Sequence, residues 1–168
     1  MAINNLSDLF LVSGKNNAFE KANYSSDIVM KNNIFNVRSL IFESPTYQYK
    51  GDISIGFLEK NDIDLNVDLF TNLTSINHIK NIYNYFITSS TFPIKGRMKL
   101  EAESFNINDF MIYNLNSSVK FKEEEIILSK FEGNLLSGNI SVEGQMSNKN
   151  EYNYKGNINI SKIDGNEL

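Results

Sequence analysis

Apolar and polar residues alternate with a period of two in five separate stretches of this chain. Ile53, Ile55 and Phe57 alternate with Asp52, Ser54 and Gly56, and Ile63, Leu65, Val67 and Leu69 alternate with Asp62, Asp64, Asn66 and Asp68. Met98, Leu100 and Ala102 alternate with Lys99, Glu101 and Glu103. Ile140 and Val142 alternate with Asn139, Ser141 and Glu143, and Ile158 and Ile160 with Asn157, Asn159 and Ser161. Successive side chains of a strand point to opposite faces, so each stretch reads as a strand with one apolar and one wet face. That pattern belongs to antiparallel sheet solvated on one side, not to a parallel α/β core, whose strands are apolar throughout.

Polar clusters at Lys31-Asn32-Asn33, Glu59-Lys60-Asn61, Lys122-Glu123-Glu124 and Ser147-Asn148-Lys149-Asn150 separate the strands and suit hairpin loops. The strands are therefore expected to follow one another as a meander. One segment departs from the period: Ile76, Ile79, Ile82, Tyr83, Phe86 and Ile87 are spaced by threes and fours, the signature of a helical face. Thr74 or Ser75 can cap its N-terminus, and Pro93 lies beyond its end. The expected fold is mainly β, a curled antiparallel meander with one short α-helix around residues 75–87.

The two halves echo each other. Ile34–Phe42, Lys50–Ile55 and Ile63–Phe70 are matched by Ile126–Phe131, Ser137–Val142 and Tyr152–Ile160, with Phe42-Glu43 repeated as Phe131-Glu132. The chain divides accordingly into a β repeat at 1–73, a helix and connection at 74–92 and a second β repeat at 93–168, all within one continuous sheet. Repetition of this kind suits a stackable sheet better than a unique catalytic fold. Eight or so strands spaced about 4.8 Å apart make a sheet about 35 Å wide, whereas a helix of about 13 residues is about 20 Å long and about 10 Å thick. The helix cannot cover the apolar face, so curling, neighbouring repeats or an apolar ligand must hide the remainder.

Composition narrows the function classes. The net charge of −4 is mild and both signs are interspersed, which gives no basic footprint for nucleic acid or anionic membrane. There is no cysteine, so disulfides, thiolate catalysis and Cys-ligated metals are excluded. The apolar run Leu9–Val12 is too short for a signal peptide or membrane span. The strand at Tyr152–Ile163 would be an uncovered sheet edge, and the chain is read as a fragment of a longer protein.

No catalytic constellation stands out. His78 is the only histidine and reads as a surface residue of the helix. No G-x-S-x-G elbow supplies a nucleophile. Glu123, Glu124 and Glu125 point in alternating directions on a hairpin and read as a solvated turn rather than paired catalytic carboxylates. Gly51, Gly138 and Gly156 open strands, not helices, so they are bends in sheet rather than a phosphate loop. Tyrosine pairs at 47/49, 83/85 and 152/154 could form a sugar platform, although pairs at i and i+2 more often pack one sheet face. The expectation is a non-enzyme with no cofactor and no metal.

Four stretches carry a family resemblance: Phe92-Pro93-Ile94-Lys95-Gly96-Arg97-Met98-Lys99-Leu100, then Tyr113 to Phe121, then Ile126 to Gly144, then Tyr154 to Asp164. A helix, a "pi-x-G" strand opening, an "nl-x-s-x-v" strand, a strand leading into "gG-x-i-x-x-x-G" and a last strand ending near "v-d" resemble the AsmA-like family, kin of the TamB proteins. The resemblance implies a non-enzymatic, periplasmic β-groove, held at the inner membrane through a segment absent from this chain. Such a groove would carry phospholipid acyl chains toward the outer membrane or serve its homeostasis and assembly, with other envelope proteins as further partners. On that reading Ile53, Ile55, Leu65, Val67, Leu100, Val119, Ile140, Val142, Ile158 and Ile160 are the lipid-facing candidates. Two alternatives stand beside it: a secreted carbohydrate-binding or adhesin-like β repeat, and an envelope scaffold whose sheet edge pairs with partners.

Overall fold

The computed structural model describes residues 23–43, 47–58, 62–79, 94–123, 125–147 and 153–162. They form one nine-stranded sheet in which spatial order equals chain order. The strands are β1 (Asn23–Lys31), β2 (Ile34–Glu43), β3 (Gln48–Phe57), β4 (Ile63–Ser75), β5 (Ile94–Ile107), β6 (Phe110–Lys122), β7 (Glu125–Leu135), β8 (Gly138–Ser147) and β9 (Asn153–Ser161). The sheet curls but does not close, and among the described residues β1 and β9 are its outermost strands. The expected mainly β, mostly antiparallel fold with a short helix is the observed one.

Turn chemistry sets the hairpins. Asn32 and Asn33 join β1 to β2 with φ of 51° and 60°, the paired left-handed conformation of a type I′ turn, which asparagine tolerates better than most residues. Two more tight hairpins, at Asn108-Asp109 and Leu136-Ser137, also begin on a left-handed residue, with φ of 54° at both Asn108 and Leu136. Leu136 carries no turn signal; the loop expected between Phe131 and Ser137 is shorter than its sequence suggests, because β7 runs on to Leu135.

One pairing departs from the meander. β4 and β5 run parallel, from Ile63 opposite Ile94 to Ser75 opposite Asn106. Parallel neighbours need a crossover of about a dozen residues or more, and residues 76–93 provide it. This connection contains the expected helix: residues 76–79 are helical, and the rest of the 75–87 expectation lies outside the described residues. Ser75 is the cap, its Oγ accepting the backbone N–H of His78 at 3.3 Å.

Three central strands break their alternation together. On β4 burial passes from Thr71 to Thr74, on β5 from Ala102 to Phe105, and on β6 from Leu115 to Ile112. The register does not slip there, since Thr71, Ala102 and Leu115 are mutually aligned, as are Thr74, Phe105 and Ile112. Asn72, Glu103 and Asn114 thus lie along a seam where each strand spends an extra residue before returning its next side chain to the same face. Asn114 is left-handed there, with φ of 52°. Asn72 stabilises the seam with its side-chain oxygen, which accepts the backbone N–H groups of Leu73 (2.9 Å) and Gln48 (2.8 Å). A one-residue change of parity would otherwise turn the apolar set outward.

The core follows from that register. Val37, Leu40, Phe42, Tyr49, Ile53, Leu65, Val67, Leu69, Leu100, Ala102, Phe105, Ile112 and Leu115 form one buried cluster spanning β2 to β6. Ile76 and Ile79 of the helical segment pack on it, as do Phe131, Leu135 and Ile140 from β7 and β8. Phe105 reaches past β6 to meet Phe131 edge-on, with ring centroids 5.9 Å apart, so strands two apart touch on the inner face of the curl.

Glycines let β4 be flanked closely on both sides. Gly51 on β3 (φ 152°) and Gly96 on β5 (φ 128°) adopt conformations that L side chains rarely take. A Cβ at Gly51 would overlap the carbonyl oxygen of Asp68, and one at Gly96 that of Leu65. Both obstacles are backbone atoms of β4 and cannot rotate away. Gly51→Ala and Gly96→Ala are therefore expected to lower the unfolding free energy by at least about 2 kcal/mol each in urea melts. Gly56→Ala should cost less than about 1 kcal/mol, because a Cβ there meets Asp64 Cβ at an ordinary 3.5 Å. Equally small losses at all three positions would contradict the requirement for glycine beside β4.

Candidate functional site

Opposed residues of neighbouring strands share a face, and following the register across the sheet brings all ten candidate residues to one side. Ile55 opposes Leu65 and Ile53 opposes Val67. Leu100 lies beside Leu69 of the same β4 face, and Val119 is paired with Met98 on one side and Leu128 on the other. Ile140 opposes Gly133 and Ile160, while Val142 opposes Ile158.

The ten do not share one environment. Ile53, Leu65, Val67 and Leu100 are fully packed by neighbouring side chains. Ile55, Val119, Ile140 and Val142 are half-buried. Ile158 and Ile160 are open to solvent, 70% and 49% exposed. The middle of the face is thus filled by its own side chains, and accessible apolar surface lies toward the two rims. On the β9 rim Tyr154, 74% exposed, joins Ile158 and Ile160. On the β1 rim Tyr24, Ile28 and Met30 are exposed on the same face, opposite Phe42, Val37 and Phe35. The sequence reading misses the β1 group, because Ser25-Ser26-Asp27 interrupts the alternation and β1 slips register there. Ile28 and Met30 are the only trace of it.

A small polar island interrupts the apolar face beneath the helical segment. Thr71 and Thr74 are fully buried; the Tyr49 hydroxyl lies 3.0 Å from Thr74 Oγ1, and Thr71 Oγ1 donates to the Leu73 carbonyl at 2.9 Å. Burial pushes the Tyr49 phenol above its ordinary pKa, partly countered by the bond to Thr74. His78 completes the island and corrects the expectation of a surface histidine. It is only 4% exposed and packs edge-on against Tyr47 with ring centroids 4.4 Å apart. The helical face that meets the sheet is wide enough to take His78 along with Ile76 and Ile79. Its Nδ1 is buried without a hydrogen-bond partner, and desolvation lowers its pKa below the usual imidazole value. Tyr47 and Tyr49 are therefore part of this packing and do not form an exposed sugar platform. Tyr83, Tyr85 and Tyr152 lie outside the described residues.

The opposite face carries the charged pairs, beside exposed Val29, Ile41 and Phe70. Lys95 bridges Asp62 (2.6 Å) and Glu123 (2.7 Å), and these hydrogen bonds raise the lysine pKa. Lys99 pairs with Glu101 at 2.8 Å and Lys130 with Glu132 at 3.2 Å. Such partly exposed pairs add little stability. The chain's two arginines, Arg38 and Arg97, flank a shallow furrow of ≈ 290 Å³ on this face, floored by Asn36, Asp52, Ser54, Asn66 and Asp68. Asp52 and Asp68 are direct cross-strand neighbours. Asp52 also accepts the backbone N–H of Ser39 at 3.0 Å, which ties it to the β2 bulge. Among the described residues no group of three or more His, Asp or Glu could hold a metal ion. No helix among them is long and apolar enough to cross a membrane.

Comparison with protein-family models, with curated proteins and with solved structures finds no match.

The buried histidine makes stability pH-dependent in a defined direction. In the folded chain the imidazole is held neutral, with a pKa below its unfolded value of 6.5. Below that value the unfolded chain binds a proton that the folded chain resists, so stability is complete above about pH 7 and declines as the pH falls. Between pH 7 and pH 5.5 the unfolding free energy should drop as the pH falls, with this one group contributing no more than about 1.4 kcal/mol per pH unit. His78→Leu should flatten that slope in urea melts across the same range, and a slope unchanged in the variant would assign it to other groups.

Proposed function

We propose that this chain is a segment of an AsmA-like envelope protein whose curled sheet holds phospholipid acyl chains. In that setting it serves lipid transport toward the outer membrane, or the homeostasis and assembly of that membrane, from the periplasm. The observation that carries the reading is a largely apolar face shared by nine strands, with exposed apolar side chains at both rims of the described sheet. Because the middle is filled by packed side chains, lipid would lie along a rim, where Tyr154, Ile158 and Ile160 stand beside half-buried Ile140 and Val142. Burying one acyl CH₂ is worth about 0.8 kcal/mol, so a chain of roughly sixteen carbons left in water would cost on the order of 12 kcal/mol. A surface that carries it must present apolar side chains in unbroken succession, and cross-strand pairs such as Ile140–Ile160 and Val142–Ile158 do so.

A second reading, an envelope scaffold that works through strand pairing, draws support from β9, which is exposed along its whole length. The carbohydrate-binding alternative has no comparable observation.

Native mass spectrometry and lipid extraction on the chain purified from a bacterial host test the lipid reading. Phospholipid should co-purify, and the double variant Ile158→Asp/Ile160→Asp should lose most of it. Its melting temperature should hardly change, because both side chains are exposed and exposed substitutions usually stay within about 0.5 kcal/mol. Ile140→Asp/Val142→Asp should lose lipid as well, with a larger stability cost from half-buried positions. A stably folded chain that never carries lipid would overturn the reading.

A further inference from the structure

The furrow on the charged face holds an arrangement that packing does not explain. Asp52 of β3 and Asp68 of β4 are direct cross-strand neighbours, and like charges in that relation destabilise a sheet. Lys99 stands across from Asp68 on β5, but its Nζ lies 2.8 Å from Glu101. Arg38 and Arg97 flank the same furrow, and neither forms an ion pair with a described residue. Arg38 is placed there by the β2 bulge. It and Ser39 fall between the Val37–Ile53 and Leu40–Gly51 pairs, Ser39 is left-handed with φ of 51°, and its N–H donates to Asp52 Oδ1 at 3.0 Å. Bulges re-aim side chains and are over-represented beside functional sites. Along the other wall Asn36, Ser54, Asn66 and Arg97 are aligned strand by strand. The helical start of the crossover packs on the apolar core instead, so it does not cover this furrow.

We propose that this furrow binds a dicarboxylic amino acid, its ammonium between Asp52 and Asp68 and its two carboxylates on Arg38 and Arg97. The order of charge from β2 to β5 selects that class: a cation, two carboxylates, a cation. By strand geometry the two arginine Cα atoms lie about 16 Å apart, three strand spacings across and two residues along. Side chains reaching inward from there leave the length of a short carbon chain between the guanidinium groups. Each guanidinium offers a fork that matches a carboxylate, and a bound ammonium relieves the repulsion between the aspartates. Asn36, Ser54 and Asn66 supply neutral donors and acceptors along the other wall. At ≈ 290 Å³ the furrow is at the small end of ligand sites and suits a molecule of amino-acid size. A simple anion such as phosphate would meet the aspartates. A metal ion would meet the arginines, and no group of three acidic or histidine ligands among the described residues could hold it. A sugar would find no aromatic ring to stack on among the described lining residues. The furrow is shallow and solvent-screened, so affinity is modest, with Kd on the order of millimolar. The site lies on the face opposite the apolar one and does not depend on the lipid reading.

Titration of the isotope-labelled full chain with L-glutamate at constant ionic strength, followed by NMR, tests the proposal. The amide signals of Ser39, Ser54 and Asn66 should shift saturably, with Kd on the order of millimolar. Glutarate, which lacks the ammonium, and alanine, which lacks the second carboxylate, should each bind at least about tenfold more weakly. Asp68→Asn should bring glutamate and glutarate within about threefold of each other. The same substitution removes the cross-strand repulsion, so it should raise the melting temperature slightly, whereas a purely structural aspartate would lower it. Arg97→Gln should weaken glutamate at least about fivefold with the melting temperature nearly unchanged, because its side chain is exposed. The absence of a saturable shift, glutarate or alanine binding as tightly as glutamate, phosphate producing the same shifts at the same concentration, or unchanged glutamate binding in Arg97→Gln would overturn the proposal.

Discussion

Everything in this structure depends on keeping one face of nine consecutive strands apolar while the backbone deviates from ideal pleating. An error of one residue in any strand would present its aliphatic side chains to water and its charged ones to the core. The chain avoids this by lengthening the apolar spacing from two to three residues wherever a strand deviates. Val37 is followed by Leu40 at the β2 bulge, and Leu128 by Phe131 at the β7 bulge. Thr71 to Thr74, Ala102 to Phe105 and Ile112 to Leu115 mark the shared seam of the central strands. Burial on the order of 25 cal/mol per Å² then rewards every strand on the same side. The curl follows, because a sheet with one apolar side gains most by bending toward it.

The same spacing separates what could be read from residues from what could not. Strict alternation identified β3, the first part of β4, β5 to Ala102, and the cores of β8 and β9. It stops at Leu69 and Ala102, where the seam begins, although the strands run on to Ser75 and Ile107. Helical spacing at Ile76 and Ile79 located the crossover, but periodicity carries no information on strand direction, so the parallel pairing of β4 with β5 was not legible. The face occupied by the ten candidate residues was legible, because parity alone decides it. Their burial was not, because it depends on position across the sheet: Val67 and Ile158 look alike in sequence, yet one lies on a central strand and the other on an edge. His78 was misjudged for a related reason. A polar residue between two core isoleucines reads as surface until the width of the contact with the sheet is known.

The position of the polar island bears on how an apolar ligand could use the face. Tyr49, Thr71, Thr74 and His78 lie together at one end of the central strands, under the helical segment. The hydroxyls of Tyr49, Thr71 and Thr74 are satisfied within the protein, whereas the buried Nδ1 of His78 is not. An unpaired buried nitrogen costs on the order of 1–3 kcal/mol, a loss the fold accepts in order to seat the helix. An acyl chain crossing this end would bury its methylenes against groups that offer no gain from them, whereas toward β8 and β9 the face is aliphatic and open. The geometry thus gives the sheet a polar, capped end and an apolar, accessible side. On the lipid reading, the acyl chain would therefore lie at the β9 rim, away from the helical segment.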